Sequence, residues 1–313
     1  MKKKVVIVKV SRIAFIGFGE AATTFISSWK NRAPEIINAF DIKTNNIFTR
    51  ERKLLEYIDK GVQGTFRPEE AVQGAQLIFS LVTADQAESA LHQIVDSLTK
   101  KQIVLDFNSC SPQTKQRLAQ TVEAQGADYI DIAIMAPVLT SQPNIPLYLS
   151  GQKAEKVAEY LTQLGFDTEV ISENVGDASS IKMLRSIMVK GLEALTTECM
   201  LAARKSGVEH HVLKSLSKTY PELELSHLSR YHMERMLDHG ERRHAELKEV
   251  AATLNELGMS HSMVEGAMHW HQSLGELNIE ALDQPLSQLS DQIIEQLQVA
   301  DNESTATKLQ NIQ

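Results

Sequence analysis

Three groups of residues have the types and spacing for chemistry. The first is Gly17-Phe18-Gly19-Glu20-Ala21-Ala22, a GxGxxA run directly after the apolar stretch Arg12-Ile13-Ala14-Phe15-Ile16 and opening a helical one. Gly17 permits the tight turn, Gly19 lets a pyrophosphate approach the backbone, and Ala22 keeps the helix close to the strand. The helix N-terminus offers free N–H groups and a partial positive charge to phosphate. The second is Asp41, 24 residues after Gly17 at the end of another apolar run. That is close to the offset of about 20 for the acid that binds the ribose hydroxyls of a dinucleotide. The glycines alone would also serve a plain turn; with Asp41 they predict dinucleotide binding. A carboxylate here repels a 2′-phosphate, which favours NAD over NADP, although Lys43, Arg50 and Arg52 lie near enough to blunt the preference. The third group is Lys182 with Arg185 and Ser186, three and four residues on along a helical stretch. A desolvated lysine can take a proton near neutral pH, and the planar fork of Arg185 can clamp a carboxylate or phosphate. On residue chemistry alone Lys182 reads as a solvated helix lysine, and Arg185 serves equally well as a surface partner of Glu193 or Glu198.

Elements must position these groups, and their pattern changes along the chain. In the first half, apolar runs at 12–16, 35–40, 77–82, 103–107, 129–134 and 147–149 alternate with helical stretches at 20–30, 86–98, 112–124 and 153–164. Strands separated by helices predict a mostly parallel sheet covered on both faces. From Asp177 onward no strand is evident. Apolar residues recur at helical spacing from Ile181 through Leu201, within one long helix ending near Lys205, and further helices are expected at 208–218, 225–237, 242–257 and 260–274. The fold class is therefore α/β: a Rossmann-like sheet domain at 1–175, an all-α substrate and dimerisation domain at 176–300, and a polar tail at 301–313. Residues 1–10 read as a short arm or extra strand.

The chain's 313 residues include 42% hydrophobic and 23% charged residues, an ordinary globular composition. Lys and Arg total 32 against 40 acidic residues, for a formal net charge of -8, so the basic excess of a nucleic-acid binder is missing. No apolar run approaches a membrane span. Two cysteines cannot build a disulfide framework, and a reducing cytoplasm fits them best. Nine of ten histidines follow residue 209, yet no HExxH occurs and the i, i+5 pairs 227/232 and 239/244 point off one helix face. No metal is expected; a helical surface near a substrate mouth or a dimer seam is the simpler account. Cys110 reads as a small buried filler before a reactive thiol.

Several blocks together resemble the β-hydroxyacid dehydrogenases, the superfamily of 3-hydroxyisobutyrate and 6-phosphogluconate dehydrogenases. Residues 13–22 look like its cofactor signature. Asp106-Phe107-Asn108-Ser109-Cys110-Ser111-Pro112 resembles its D-x-S-T-x-S-P loop, and Gly176 through Lys182 resembles the G-x-x-x-x-x-K segment that opens a long helix. The resemblance implies an NAD(P)-dependent oxidoreductase moving hydride between nicotinamide and a small anionic β-hydroxy acid, with Lys182 as general acid/base. It implies substrate contacts at Ser109, Ser111, Arg185, Ser186 and Arg243, and cofactor contacts at 17–22, Asp41, Val82 and Thr83. Ser109 and Ser111 could instead be turn and cap residues. The resemblance also implies a homodimer. Departures are clear. The family's D-A-P-V-S-G-G segment stands here as Asp131-Ile132-Ala133-Ile134-Met135-Ala136-Pro137, which removes a carboxylate site, since Pro137 has no N–H. Arg185 and Ser186 replace an asparagine. Tyr220-Pro221-Glu222-Leu223 and His239 through Arg243 resemble a less-studied subset whose C-terminal domain has no assigned function. The alternatives are an imine reductase of the same fold, against which retention of Lys182 speaks, and a non-catalytic dinucleotide-binding protein.

Overall fold

The computed structural model describes residues 10–139, 141, 144–280 and 284–310. Most of the expected N-terminal arm, residues 1–9, lies outside them. The chain forms two compact units, Met1–Met183 and Leu184–Gln313.

In the first unit eight strands form one sheet, β1 (Arg12–Ile16), β2 (Ile36–Phe40), β3 (Gln63–Gly64), β4 (Leu77–Ser80), β5 (Ile103–Asp106), β6 (Asp128–Ile134), β7 (Pro146–Ser150) and β8 (Asp167–Ser172), in the order β3-β2-β1-β4-β5-β6-β7-β8. All neighbours pair in parallel except β6 and β7. Helices α1 (Glu20–Trp29), α2 (Arg50–Asp59), α3 (Pro68–Val72), α4 (Ala87–His92), α5 (Pro112–Ala124) and α6 (Ala154–Leu164) connect them. Alternate residues of β1 enter separate cores. Ile13 and Phe15 join Phe25 and Trp29 of α1 and Phe166, whereas Ala14 and Ile16 join Ala71 and Val72 of α3 and Leu118 of α5. A sheet covered on both faces needs such continuous apolar strands.

β2 and β4 flank β1 on opposite sides, so the chain reverses its direction of winding there, and open α/β sheets bind ligands beyond the carboxyl ends of strands at such a point. The expected helix over 86–98 is broken: only α4 is α-helical, flanked by single 3₁₀ turns at Ala84–Gln86 and Val95–Ser97.

Helix α7 (Asp177–Lys205) begins in the first unit and continues into the second, which also holds α8 (Glu209–Thr219), α9 (Leu225–Glu256), α10 (Ser262–Gly275) and α11 (Leu286–Gln310). The sequence divides 225–257 into two helices around His239-Gly240-Glu241; the structure has one helix of 32 residues. Gly240 does not end a helix. A Cβ on it would lie 2.2 Å from the carbonyl oxygen of His271 and 2.7 Å from Cα of Gly275. The glycine serves a close approach of α9 to α10, which offsets its cost within the helix. Helix α11 runs on through residues 301–310, and 311–313 of the expected tail lie outside the described residues.

Candidate dinucleotide and proton-transfer site

The turn after β1 is built from its neighbours. Gly17 has φ +85°, and a Cβ there would sit 2.3 Å from the carbonyl oxygen of Leu81, so both conformation and space require glycine. Its N–H donates to the carbonyl oxygen of Phe40, the last residue of β2, at 2.9 Å, while Leu81 N–H donates to Ile16 O at 2.8 Å. Gly19 differs: a Cβ there would meet no protein atom within 4 Å. It is the N-cap of α1 with no side-chain cap, and it and Glu20 are exposed. Ala22 is fully buried under α1.

Phe18 is a core residue, its ring packed on Phe15 and Tyr57 at centroid distances of 5.9 and 5.1 Å. Its N–H donates to Asp41 Oδ2 at 2.8 Å and its carbonyl accepts from Lys53 Nζ at 2.6 Å. Asp41 Oδ1 accepts from Lys43 N–H at 2.9 Å, and Lys53 Nζ lies 4.0 Å from Asp41 Oδ2. A buried lysine thus backs the carboxylate at the end of β2. Arg50 is tied to backbone, donating to Thr44 O at 2.8 Å and Asn45 O at 3.3 Å. Beyond β4, Val82 N–H donates to Asn108 Oδ1 at 2.7 Å, and Asn108 Nδ2 donates to Ser80 Oγ at 2.9 Å. Asn108 was not singled out in the sequence; its place inside the 106–112 motif was the available signal. Thr83 is exposed.

β1, β4 and β5 are successive neighbours, so Gly17, Val82 and Ser109 line one edge of the sheet, with about 10 Å from β1 to β5. Lys182 Nζ donates to Ser109 Oγ at 2.8 Å, both side chains being half-buried. Ser111 is buried and caps α5, accepting from Thr114 N–H at 3.3 Å. Cys110 is a buried thiol against Ala84 O.

Charged residues buried below this edge were not recognised in the sequence. Lys115 Nζ lies 3.0 Å from Asp106 Oδ1 and 3.3 Å from Asp131 Oδ1, with no exposure of Lys115 or Asp131 side chains. Burial opposes the Lys115 ammonium, but the two carboxylates outweigh it and hold its pKa above the ordinary lysine value. Tyr129 OH donates to Asp106, and burial, with that carboxylate's charge added, pushes the phenol well above its usual range. An Asp within each of two apolar strands was the sequence signal.

The second unit carries a separate buried network. Arg243, expected at a substrate, pairs with Glu193, and both are buried. This corrects the expectation for Glu193, and Glu198 accepts instead from Trp270 Nε1 at 2.7 Å. Neither takes Arg185, which is exposed. Ser186 is buried and accepts from Lys190 Nζ at 3.2 Å; Lys190 also lies 3.0 Å from Glu246 Oε2. His271 Nε2 is 3.3 Å from Lys190 O and 3.6 Å from Glu193 Oε2. Burial, reinforced by Arg243, lowers the pKa of His271 to about 3 and of His232 to about 4. These two histidines are core residues, not the surface expected. Burial lowers His239 as well, with Arg235, Arg242 and Arg243 adding to it. Burial raises Glu193 against the pull of Arg243 and Lys190. Among the described residues, no His, Cys, Asp and Glu group could hold a metal ion.

A glycine turn at the switch point of a mostly parallel sheet, with an acid closing the next strand, defines a Rossmann-type dinucleotide-binding domain. Residues 12–142 match the NAD binding domain of 6-phosphogluconate dehydrogenase, and residues 203–274 match a domain of unknown function. The chain thus carries the type of NAD-binding domain found in 6-phosphogluconate dehydrogenase, followed by a helical domain of unknown function. A conserved hypothetical protein from Sinorhizobium meliloti is 27% identical with a TM-score of 0.72, over 92% of this chain and 97% of that one. A conserved protein of unknown function, described as structurally similar to 3-hydroxyacid dehydrogenases, is 29% identical with a TM-score of 0.66, over 85% of this chain and 97% of that one. The 3-hydroxyisobutyrate dehydrogenase of Pseudomonas aeruginosa is 22% identical over 66% of this chain and 68% of its own. An imine reductase from Aspergillus terreus shares the fold, at 18% identity and a TM-score of 0.55 over 90% and 99% of the two chains. No helix among the described residues is long and apolar enough to cross a membrane.

Proposed function

We propose that the protein is an NAD(P)-dependent oxidoreductase that moves hydride between the nicotinamide and a small anionic β-hydroxy acid, with Lys182 as general acid/base. The observation that carries this reading is the 2.8 Å contact of Lys182 Nζ with Ser109 Oγ, at the sheet edge that also holds Gly17 and Val82. When bound, the cofactor supplies hydride transfer. The residues present fit it: Gly19 leaves open space at the N-terminus of α1, and Asp41 closes β2.

Lys182 takes the hydroxyl proton as the carbon becomes a carbonyl and returns it in reduction; Ser109 holds the lysine and shares the substrate oxygen. Ser111 keeps the loop in shape through its cap. Arg185, Ser186 and Arg243 are proposed contacts for the substrate's anionic group, Arg185 being exposed and Arg243 keeping an unpartnered Nε among the described residues. Asp41, backed by Lys53, favours NAD, and the ties of Arg50 to backbone leave that residue poorly placed to hold a 2′-phosphate.

A homodimer in the cytoplasm is part of the reading. Leu184, Met188, Leu192 and Leu195 form an exposed apolar stripe on α7, and light scattering should give twice the chain mass.

The experiment is a panel of β-hydroxy acids and their keto acids, followed by the absorbance of reduced nicotinamide. Turnover of at least one supports the assignment. NAD(H) binding without turnover of any would favour the non-catalytic reading, and turnover only of imines would favour the reductase.

A further inference from the structure

The buried ions of the first unit satisfy one another almost completely. An ammonium has three donors, and those of Lys115 meet Asp106 O at 2.6 Å, Asp106 Oδ1 at 3.0 Å and Asp131 Oδ1 at 3.3 Å. Each carboxylate then reaches a different part of the candidate site. Asp106 Oδ1 accepts from Asn108 N–H at 2.8 Å, shaping the loop that carries Ser109. Asp131 reaches the start of α7: its Oδ2 accepts from Gly176 N–H at 3.2 Å and Ser179 N–H at 3.0 Å, and its Oδ1 accepts from Ser179 Oγ at 2.6 Å. Ser150 Oγ donates to Asp131 Oδ2 at 3.2 Å and accepts from Ala178 N–H at 3.1 Å. A carboxylate therefore caps the positive end of the helix from β6, where its charge is also favoured by the helix dipole. Lys182 lies one turn further along.

Burying such ions is rarely the cheapest route to stability, since well-packed apolar groups often do as well or better. What apolar groups cannot do is fix a loop and a helix end at once through directed bonds. We propose that Asp106, Lys115 and Asp131 are positioning residues, a buried relay that holds the Ser109 loop and the first turn of α7 in register and so sets Lys182 against Ser109. Its catalytic meaning rests on the reading of Lys182 above; its geometric content does not.

The test therefore reads Lys182 itself. The protein is labelled with limiting acetic anhydride at several pH values, and the acetylation rate of Lys182 is obtained by peptide mass against the exposed Lys101 as internal standard. Ser109→Ala breaks the contact directly and should change the relative rate by at least about threefold. Asp131→Asn, which keeps the shape and removes the charge, should change it in the same direction and to a similar extent, with NADH affinity within about threefold of the parent because the glycine turn is untouched. Should Asp131→Asn fail to fold, Ser179→Ala removes one bond of the relay and should give a smaller change of the same sign. A folded, NADH-binding variant with the parental Lys182 rate would overturn the relay, whatever Lys182 does in turnover. Normal turnover in Lys182→Ala would overturn the catalytic reading and leave the relay standing.

Discussion

The two units bury charge in different ways. In the first, Lys115 spends all its donors on Asp106 and Asp131, and the carboxylates are completed by backbone amides and hydroxyls. In the second, Arg243 pairs with Glu193, but its Nε, Arg235 Nε and His271 Nδ1 have no partner among the described residues. Buried polar groups are normally satisfied, and unmet ones call for an explanation. The first network is a closed structural device. The second leaves guanidinium donors of Arg235 and Arg243 without a partner among the described residues, and burial, reinforced by Arg243, holds His232 and His271 well below the ordinary histidine value.

Glycines sharpen the contrast most. Gly240→Ala forces a Cβ onto His271 O and should destabilise the helical unit by about 2–3 kcal/mol, the scale of overpacking. The melting temperature of the variant measures this. Gly19→Ala meets no protein atom, so the melting temperature should hold while NADH affinity falls about tenfold or more. A glycine needed by the fold and one needed by a ligand are thereby separated; equal loss of stability in both would erase the distinction.

A smaller effect is expected at Asp41. Asp41→Asn keeps an acceptor for Phe18 N–H but removes the charge, and should move the ratio of NAD to NADP affinity about tenfold toward NADP, or about 1.4 kcal/mol. Isothermal titration with both cofactors decides it. Tighter NADP binding by the parent protein would contradict the role given to the carboxylate.

The smallest effect is in the helical unit's response to acid. His271 and His232 have folded pKa values of about 3 and about 4, below the ordinary 6.5 of an unfolded histidine. Between these limits the unfolded chain binds more protons than the folded one, so stability is unaffected by these groups above pH 6.5 and falls as pH drops toward 4. Raised Glu193 works in the opposite sense near its own titration. His271→Met should therefore flatten the fall in melting temperature from pH 6.5 to 4.5; an unchanged slope would contradict the neutral, buried assignment.

Sequence reasoning reached the glycine turn, Asp41 and the Lys182 helix because each depends on local spacing. It divided α9 at Gly240, since glycine punctuates a helix unless another backbone presses on it, and that pressure comes from α10, about 30 residues away. It missed β3 and β8. The first has two residues, and the second is half-exposed, so neither has an apolar run to find. Helical spacing also offers Glu193 or Glu198 to Arg185 as a surface partner, whereas Glu193 takes Arg243, because periodicity assigns a face to a residue and cannot say which opposite charge shares it. Asp106, Lys115 and Asp131 stayed hidden for the same reason: their meaning lies in the register of β5 and β6.

The central claim is most directly tested by the turnover of Lys182→Ala beside the parent protein, on whichever hydroxy acid of the panel the parent oxidises, with NADH affinity measured on the same samples. The account predicts a loss of about 10²–10⁴ in turnover and an affinity within about threefold, since Gly17, Gly19 and α1 are untouched. Near-parental turnover in a folded, NADH-binding Lys182→Ala protein would contradict it.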